Sequence, residues 1–127
     1  LELLNKLHNL VILLSVFALV AAQESYTTEN DDLDIEAVVA SEDKLKSFFN
    51  CFVDTGSCDA VQADFKKDLP EVVATACAKC TEAQKHITKR YLEVLQQKLP
   101  NEYQAFRAKY DPENKLFAAL ESAIAQA

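Results

Sequence analysis

Gly56 is the only glycine in the 127-residue chain, and Pro70, Pro100 and Pro112 are its only prolines. An all-β fold needs turn residues every ten positions or so, and this scarcity nearly excludes one. What the chain carries instead is apolar residues at helical spacing. Leu45, Phe48, Phe49 and Phe52 fall at i, i+3, i+4 and i+7. Val61, Phe65, Leu69, Val72, Val73 and Ala76 form a second stripe, and Ala83, Ile87, Tyr91, Val94 and Leu95 a third. Tyr103, Phe106 and Tyr110 make a fourth, and Leu116, Phe117, Leu120 and Ile124 a last one. The pattern predicts an all-α fold of about six short amphipathic helices joined by short loops.

Start and stop signals agree with that division. Residues 23–33 are polar and aperiodic and predict an irregular lead-in, after which Asp34 opens a short helix to Ala40. Ser41 is placed to cap the next helix, with Glu42 and Asp43 in its first turn, where the helix dipole favours negative charge. Gly56 is expected to be left-handed in the loop after Phe52. Asp59-x-x-Gln62 and Thr81-x-x-Gln84 read as capping boxes. Pro70 should kink or restart the helix it interrupts. Pro100 with Asn101-x-x-Gln104 marks a further start, and Asp111-Pro112 reads as an N-cap followed by proline at the first helical position.

Residues 1–22 stand apart. Lys6 and His8 precede an apolar run from Leu10 to Ala22 that only Ser15 interrupts. That run is shorter than the roughly 20 residues of a membrane span. Val20 and Ala22 occupy the −3 and −1 positions of a small-residue cleavage site before Gln23. This is the layout of a secretory signal peptide, so the expected organisation is a leader at 1–22 and a single helical domain at 23–127. The chain opens with Leu, and its natural start is expected to be missing or altered. The segment carries one acid, Glu2, and one base, Lys6, so the remainder keeps the full net charge of −7. An acidic balance argues against nucleic acid as a partner, and against docking on anionic membranes. No later apolar stretch is long enough to anchor the chain in a bilayer, and a secreted, extracellular monomer is expected.

All four cysteines, Cys51, Cys58, Cys77 and Cys80, lie beyond the leader in a C-x6-C-x18-C-x2-C arrangement. An exported chain implies disulfides. Four cysteines allow three connectivities, which spacing alone does not decide. Local pairing, Cys51 with Cys58 and Cys77 with Cys80, is expected because each pair sits where the chain turns back between helices. Loop-closure entropy then contributes about 2.5 and about 1.9 kcal/mol, modest staples. A zinc site is disfavoured, since only Cys77-x2-Cys80 has the short spacing that metal-binding pairs show. A redox centre is disfavoured too, since no strand precedes that pair.

The catalytic inventory is thin. His86, the only histidine outside the leader, shares a helix face with Arg90, Glu93 and Gln97, a solvated stripe with no nucleophile placed beside it. One glycine cannot build a phosphate loop. The run Asp31-Asp32-x-Asp34-x-Glu36 resembles a calcium loop but lacks the mid-loop glycine and the closing glutamate. No enzyme activity, metal or cofactor is expected. The apolar stock remains. Doubled positions such as Phe48/Phe49 and Val72/Val73 widen the apolar faces, and helices so built either close into a core or enclose a cavity.

The cysteine spacing resembles that of insect chemosensory proteins, the olfactory-segment-D-like, four-cysteine soluble carriers. Other segments agree: Tyr26-Thr-Thr and Asp31-Asp-Leu-Asp-Ile, Leu69-Pro70, Lys79-Cys-Thr with Gln84-Lys85, and Lys109-Tyr-Asp-Pro112. The resemblance covers nearly all of residues 23–127. It implies six helices around an apolar channel and the same two local disulfides. It further implies carriage or sequestration of small hydrophobic ligands, such as pheromones and fatty-acid-like lipophiles, in a secreted fluid. Members also act in development, so a secreted signalling or structural protein that works through a protein partner is the alternative, and olfaction does not follow automatically. Position 103, where members often carry Trp beside the ligand, is Tyr, and the tail Leu116–Ala127 is unusually Ala-rich. The expected ligand lining is Leu45, Phe48, Phe52, Val61, Phe65, Val72, Ile87, Tyr91, Tyr103 and Phe106, with Tyr103 at the mouth or wall.

Overall fold

The computed structural model describes Glu2 and residues 24–127; Glu2 apart, the expected leader at residues 1–22 lies outside the described residues. Six helices follow one another with no strand among the described residues: α1 Ile35–Ala40, α2 Glu42–Phe52, α3 Ala60–Ala74, α4 Glu82–Lys98, α5 Pro100–Tyr110 and α6 Phe117–Ile124. The fold is all-α, as the apolar spacing requires. Both disulfides are local, Cys51–Cys58 and Cys77–Cys80.

The caps explain where the helices begin. The Asp34 carboxylate accepts from Ala37 N–H at 3.2 Å, and the Ser41 hydroxyl accepts from Lys44 N–H at 3.3 Å. Ser41 therefore ends α1 and starts α2 as a one-residue joint. Asp59 with Gln62 and Thr81 with Gln84 form complete capping boxes at α3 and α4, each satisfying two otherwise orphaned backbone donors.

Four local expectations need correction. Pro70 does not restart a helix, since α3 continues as one element from Ala60 to Ala74. Pro70 lies on the exposed side of the helix, where water can replace the donor that proline lacks. Gly56 is not left-handed; Asp54 is, at φ 65°. Gly56 is needed for close approach instead, since a Cβ there would lie 2.9 Å from Asn50 Cβ. Asn101 does not cap α5, which opens from Leu99 with Pro100 in its first turn and no side-chain cap. Asp111 caps α6 rather than a helix beginning at Pro112. A turn intervenes, and the buried carboxylate accepts from the N–H groups of Lys115, Leu116 and Phe117 at 2.8–3.1 Å. Burial opposes ionisation of Asp111, but those three donors outweigh it and hold the carboxyl below the usual aspartate range.

The α3–α4 connection holds two consecutive left-handed residues, Ala76 and Cys77, at φ 52° and 62°. It is held by Cys77 N–H to Val72 O at 2.9 Å, by the Cys77–Cys80 bridge, and by the lead-in, whose Tyr26 N–H donates to Lys79 O at 2.9 Å. Tyr26 also donates its hydroxyl to Glu71, so the irregular N-terminal segment is a strap rather than a loose end.

α4 packs on α1, α5 and α6, while α3 packs on α2, α5 and α6. Leu45, Leu95, Phe106, Phe117 and Leu120 are fully enclosed, each adding about 1.5–3 kcal/mol of burial. Arg90 on α4 reaches back to Glu36 on α1 with Nε and Nη2, at 2.6 and 3.1 Å. Lys98 donates to the Val39 carbonyl at 3.0 Å, covering the end of α1.

Candidate functional site: an apolar cavity ringed by all six helices

α3 and α4 make little direct contact with each other, yet both turn apolar side chains toward the same space. That space is a cavity of about 40 Å³. Phe65, Leu69, Val72 and Val73 from α3 line one side, and Ile87, Thr88, Tyr91 and Leu92 from α4 the other. Phe48 and Phe52 from α2, Phe106 from α5, Leu120 from α6, Ile35 from α1 and Leu33 from the lead-in complete the wall. None of these fourteen residues carries a formal charge.

The aromatic wall is ordered edge to face, the arrangement ring quadrupoles favour. Phe52 meets Tyr91 at 5.5 Å between centroids, Tyr91 meets Phe106 at 5.8 Å, and Phe48 meets Phe52 at 5.8 Å. Two of the lining residues carry hydroxyls. Thr88 donates to the Gln84 carbonyl at 2.7 Å, inside its own helix. The buried Tyr91 hydroxyl has no partner among the described residues. Burial pushes its pKa far above the ordinary tyrosine value, with a smaller push from Tyr110.

Seven of the ten residues expected at the site line the cavity: Phe48, Phe52, Phe65, Val72, Ile87, Tyr91 and Phe106. The structure places the other three elsewhere. Leu45 is wholly enclosed on α2, one turn before the cavity-facing positions. Val61 is half-buried in the first turn of α3, away from the cavity end of that helix. Tyr103 belongs to a separate polar groove of about 370 Å³ shared with Lys89, Glu93, Gln96, Arg107 and Glu121. Its hydroxyl donates to Glu121 at 3.0 Å and its ring meets Phe117 at 6.4 Å, and neither partner is a cavity residue. Leu33, Ile35, Leu69, Val73, Thr88, Leu92 and Leu120 were missed. Leu69 and Val73 were visible in the Phe65 stripe, and Leu120 in the last one, while Leu33 comes from the lead-in and Ile35 from the first turn of α1.

A third concavity, of about 390 Å³, is bordered by Asp54, Lys66, Lys109, Tyr110 and Leu116. Lys109 and Lys66 both hydrogen-bond Asp54, lowering its pKa to about 2. Tyr110 donates to the Phe52 carbonyl, tying α5 to the end of α2. Burial, then the Asp54 charge, pushes its phenol up to about 12. Among the described residues no group of three or more His, Cys, Asp or Glu is arranged to hold a metal. None of the described helices is long and apolar enough to cross a membrane.

Comparison with known proteins bears directly on this architecture. Residues 26–118 match the model of the insect pheromone-binding family, A10/OS-D. The chain belongs to that family. Among A10/OS-D relatives it is similar to ejaculatory bulb-specific protein 3 of Drosophila melanogaster, 36% identical over 95 residues, 75% of each chain. It is also similar to allergen Tha p 1 of Thaumetopoea pityocampa, 35% identical over 107 residues, covering 83% of this chain and 85% of the allergen. Its fold is similar to that of a chemosensory protein solved in complex with bromo-dodecanol, with a TM-score of 0.71 and 26% identity over 77% of this chain and 98% of that one. Antennal chemosensory protein A6 of the moth Mamestra brassicae gives 0.64 and 26%, over 79% and 93%. A10/OS-D membership places the chain among binding proteins rather than enzymes.

Proposed function

We propose that this chain is a secreted carrier that takes up small hydrophobic ligands, semiochemicals or fatty-acid-like lipophiles, in the cavity between α3 and α4. The observation that carries the reading is a lining of fourteen residues from every helix with no charge among them. The bromo-dodecanol bound by a chemosensory protein of the same fold is a ligand of the kind such a wall would accept.

Ligand sites run to about 300–1,000 Å³. A cavity of about 40 Å³ holds about one water, so uptake requires the walls to part. The seam between α3 and α4, where direct contact is sparse, is the least costly place for that movement. Burying some ten methylenes gives about 8 kcal/mol gross. Immobilisation and opening offset several kcal/mol of it. Micromolar affinity, about −8 kcal/mol, therefore needs close wall packing and a polar contact as well. Such a site selects by length and shape and is broad.

Titration with a fluorescent lipophilic probe tests this. Saturation at one probe per chain, with displacement by several unrelated long-chain compounds, is expected. A chain that binds none of them, but is retained on a specific protein partner, would instead be a secreted signalling or structural protein.

A further inference from the structure

We propose that the Tyr91 hydroxyl is the polar anchor of this cavity, so that the chain selects lipophiles bearing an uncharged oxygen acceptor over plain hydrocarbons and over ionised carboxylates. The proposal deepens the carrier reading and rests on it.

A tyrosine buried to 6% exposure ordinarily finds a partner for its hydroxyl. Tyr91 does not, and only one other buried side-chain atom among the described residues is unpartnered, Asp31 Oδ1, which is not part of the cavity wall. The hydroxyls near Tyr91 are otherwise engaged, Thr88 with Gln84 and Tyr110 with the Phe52 carbonyl. Phe52 and Phe106 flank the Tyr91 ring edge-on, so the aromatic body is supported by packing that phenylalanine would supply equally well. Packing does not explain the oxygen. An unmet donor beside an apolar cavity is what a ligand oxygen would complete.

The chemistry narrows the class. Burial keeps the phenol protonated across the physiological range, so it presents an O–H donor. No lysine, arginine or histidine lies in the wall. A carboxylate drawn fully inside would be an unpaired buried charge, which is costly. An alcohol, ester, aldehyde or ketone oxygen accepts the hydrogen bond without that penalty.

The test compares dodecanol, dodecyl acetate, dodecane and dodecanoate at neutral pH, each displacing N-phenyl-1-naphthylamine from the wild-type chain, from Tyr91→Phe and from Tyr103→Phe. The wild type should bind the alcohol and the ester about tenfold tighter than dodecane, the value of one hydrogen bond in a dry site, and dodecanoate more weakly than the alcohol. In Tyr91→Phe the advantage over dodecane should vanish while dodecane affinity holds. Tyr103→Phe, which loses a hydroxyl outside the cavity, should keep the wild-type ratio. An unchanged ratio in Tyr91→Phe, a ratio lost in Tyr103→Phe instead, or dodecanoate as the preferred ligand would each overturn the proposal while leaving the carrier reading intact. Failure of every compound to displace the probe would overturn both.

Discussion

Tyr103 on α5 donates its hydroxyl to Glu121 on α6 at 3.0 Å, tying a buried ring of one helix to the other. Phe106, one turn further along α5, points to the cavity. A single helix face is thus split between two neighbours. Arg107 sits over the Phe117 ring at 4.9 Å and over Tyr103 at 5.9 Å.

Tyr103→Phe should therefore lower stability by about 1 kcal/mol through the lost hydrogen bond. It should change the affinity for a long-chain alcohol less than about twofold, since a side chain outside the wall buries no ligand area. Urea denaturation and probe displacement on the same preparation check both halves.

Tyr91→Phe should do the reverse to stability. Removing an unmet buried hydroxyl relieves a desolvation penalty, and the ligand-free chain should gain about 1 kcal/mol in urea denaturation. A loss of similar size would mean that the hydroxyl is already satisfied in the folded protein.

Much of the fold is legible in the sequence, because amphipathic spacing and capping are local. The stripes of α2, α4 and α6, the two capping boxes and the Ser41 joint depend on residues within one or two turns of each other. Asp111-Pro112 fails for a physical reason. An aspartate that caps across a turn, to Lys115 through Phe117, has the same local sequence as one that caps directly. The site is legible only in part, since periodicity marks which face is buried but not against what. Leu45, Tyr103 and Phe106 all occupy buried stripe positions, and only Phe106 meets the cavity. Leu33 carries no periodic signal toward it, and Ile35, spaced with Val38 and Val39 on the buried face of α1, shows only that this face is covered and not by what.

Gly56→Ala should destabilise by about 1–3 kcal/mol, a cost of overpacking rather than of backbone conformation. The new Cβ would meet Asn50 Cβ at 2.9 Å, and Asn50 O already accepts from both Thr55 and Gly56 N–H. A lowered urea midpoint with unchanged slope is the expected result.

Stability should be flat near neutrality and fall at both extremes. Asp54 has a folded pKa lowered to about 2, so its contribution is present above the unfolded value near 4 and is lost as pH drops toward 2. The Asp54 side chain is more than half exposed, and added salt should blunt this limb. Tyr110 has a raised folded pKa of about 12, so its contribution is complete below the unfolded value near 10 and is lost as pH climbs to 12. Tyr110→Phe should make the alkaline limb in thermal melts shallower without abolishing it, since the Tyr26, Tyr91 and Tyr103 phenols are raised as well.

The most direct test of the carrier account is a methyl-resolved NMR titration of the chain with dodecanol. Saturating shifts at one equivalent are predicted for the methyl groups of Val72, Val73, Ile87 and Leu120, with Val61 little affected. Shifts confined to Ile124 and its surroundings, in the groove that holds Tyr103, or no saturable shift at any methyl, would contradict it.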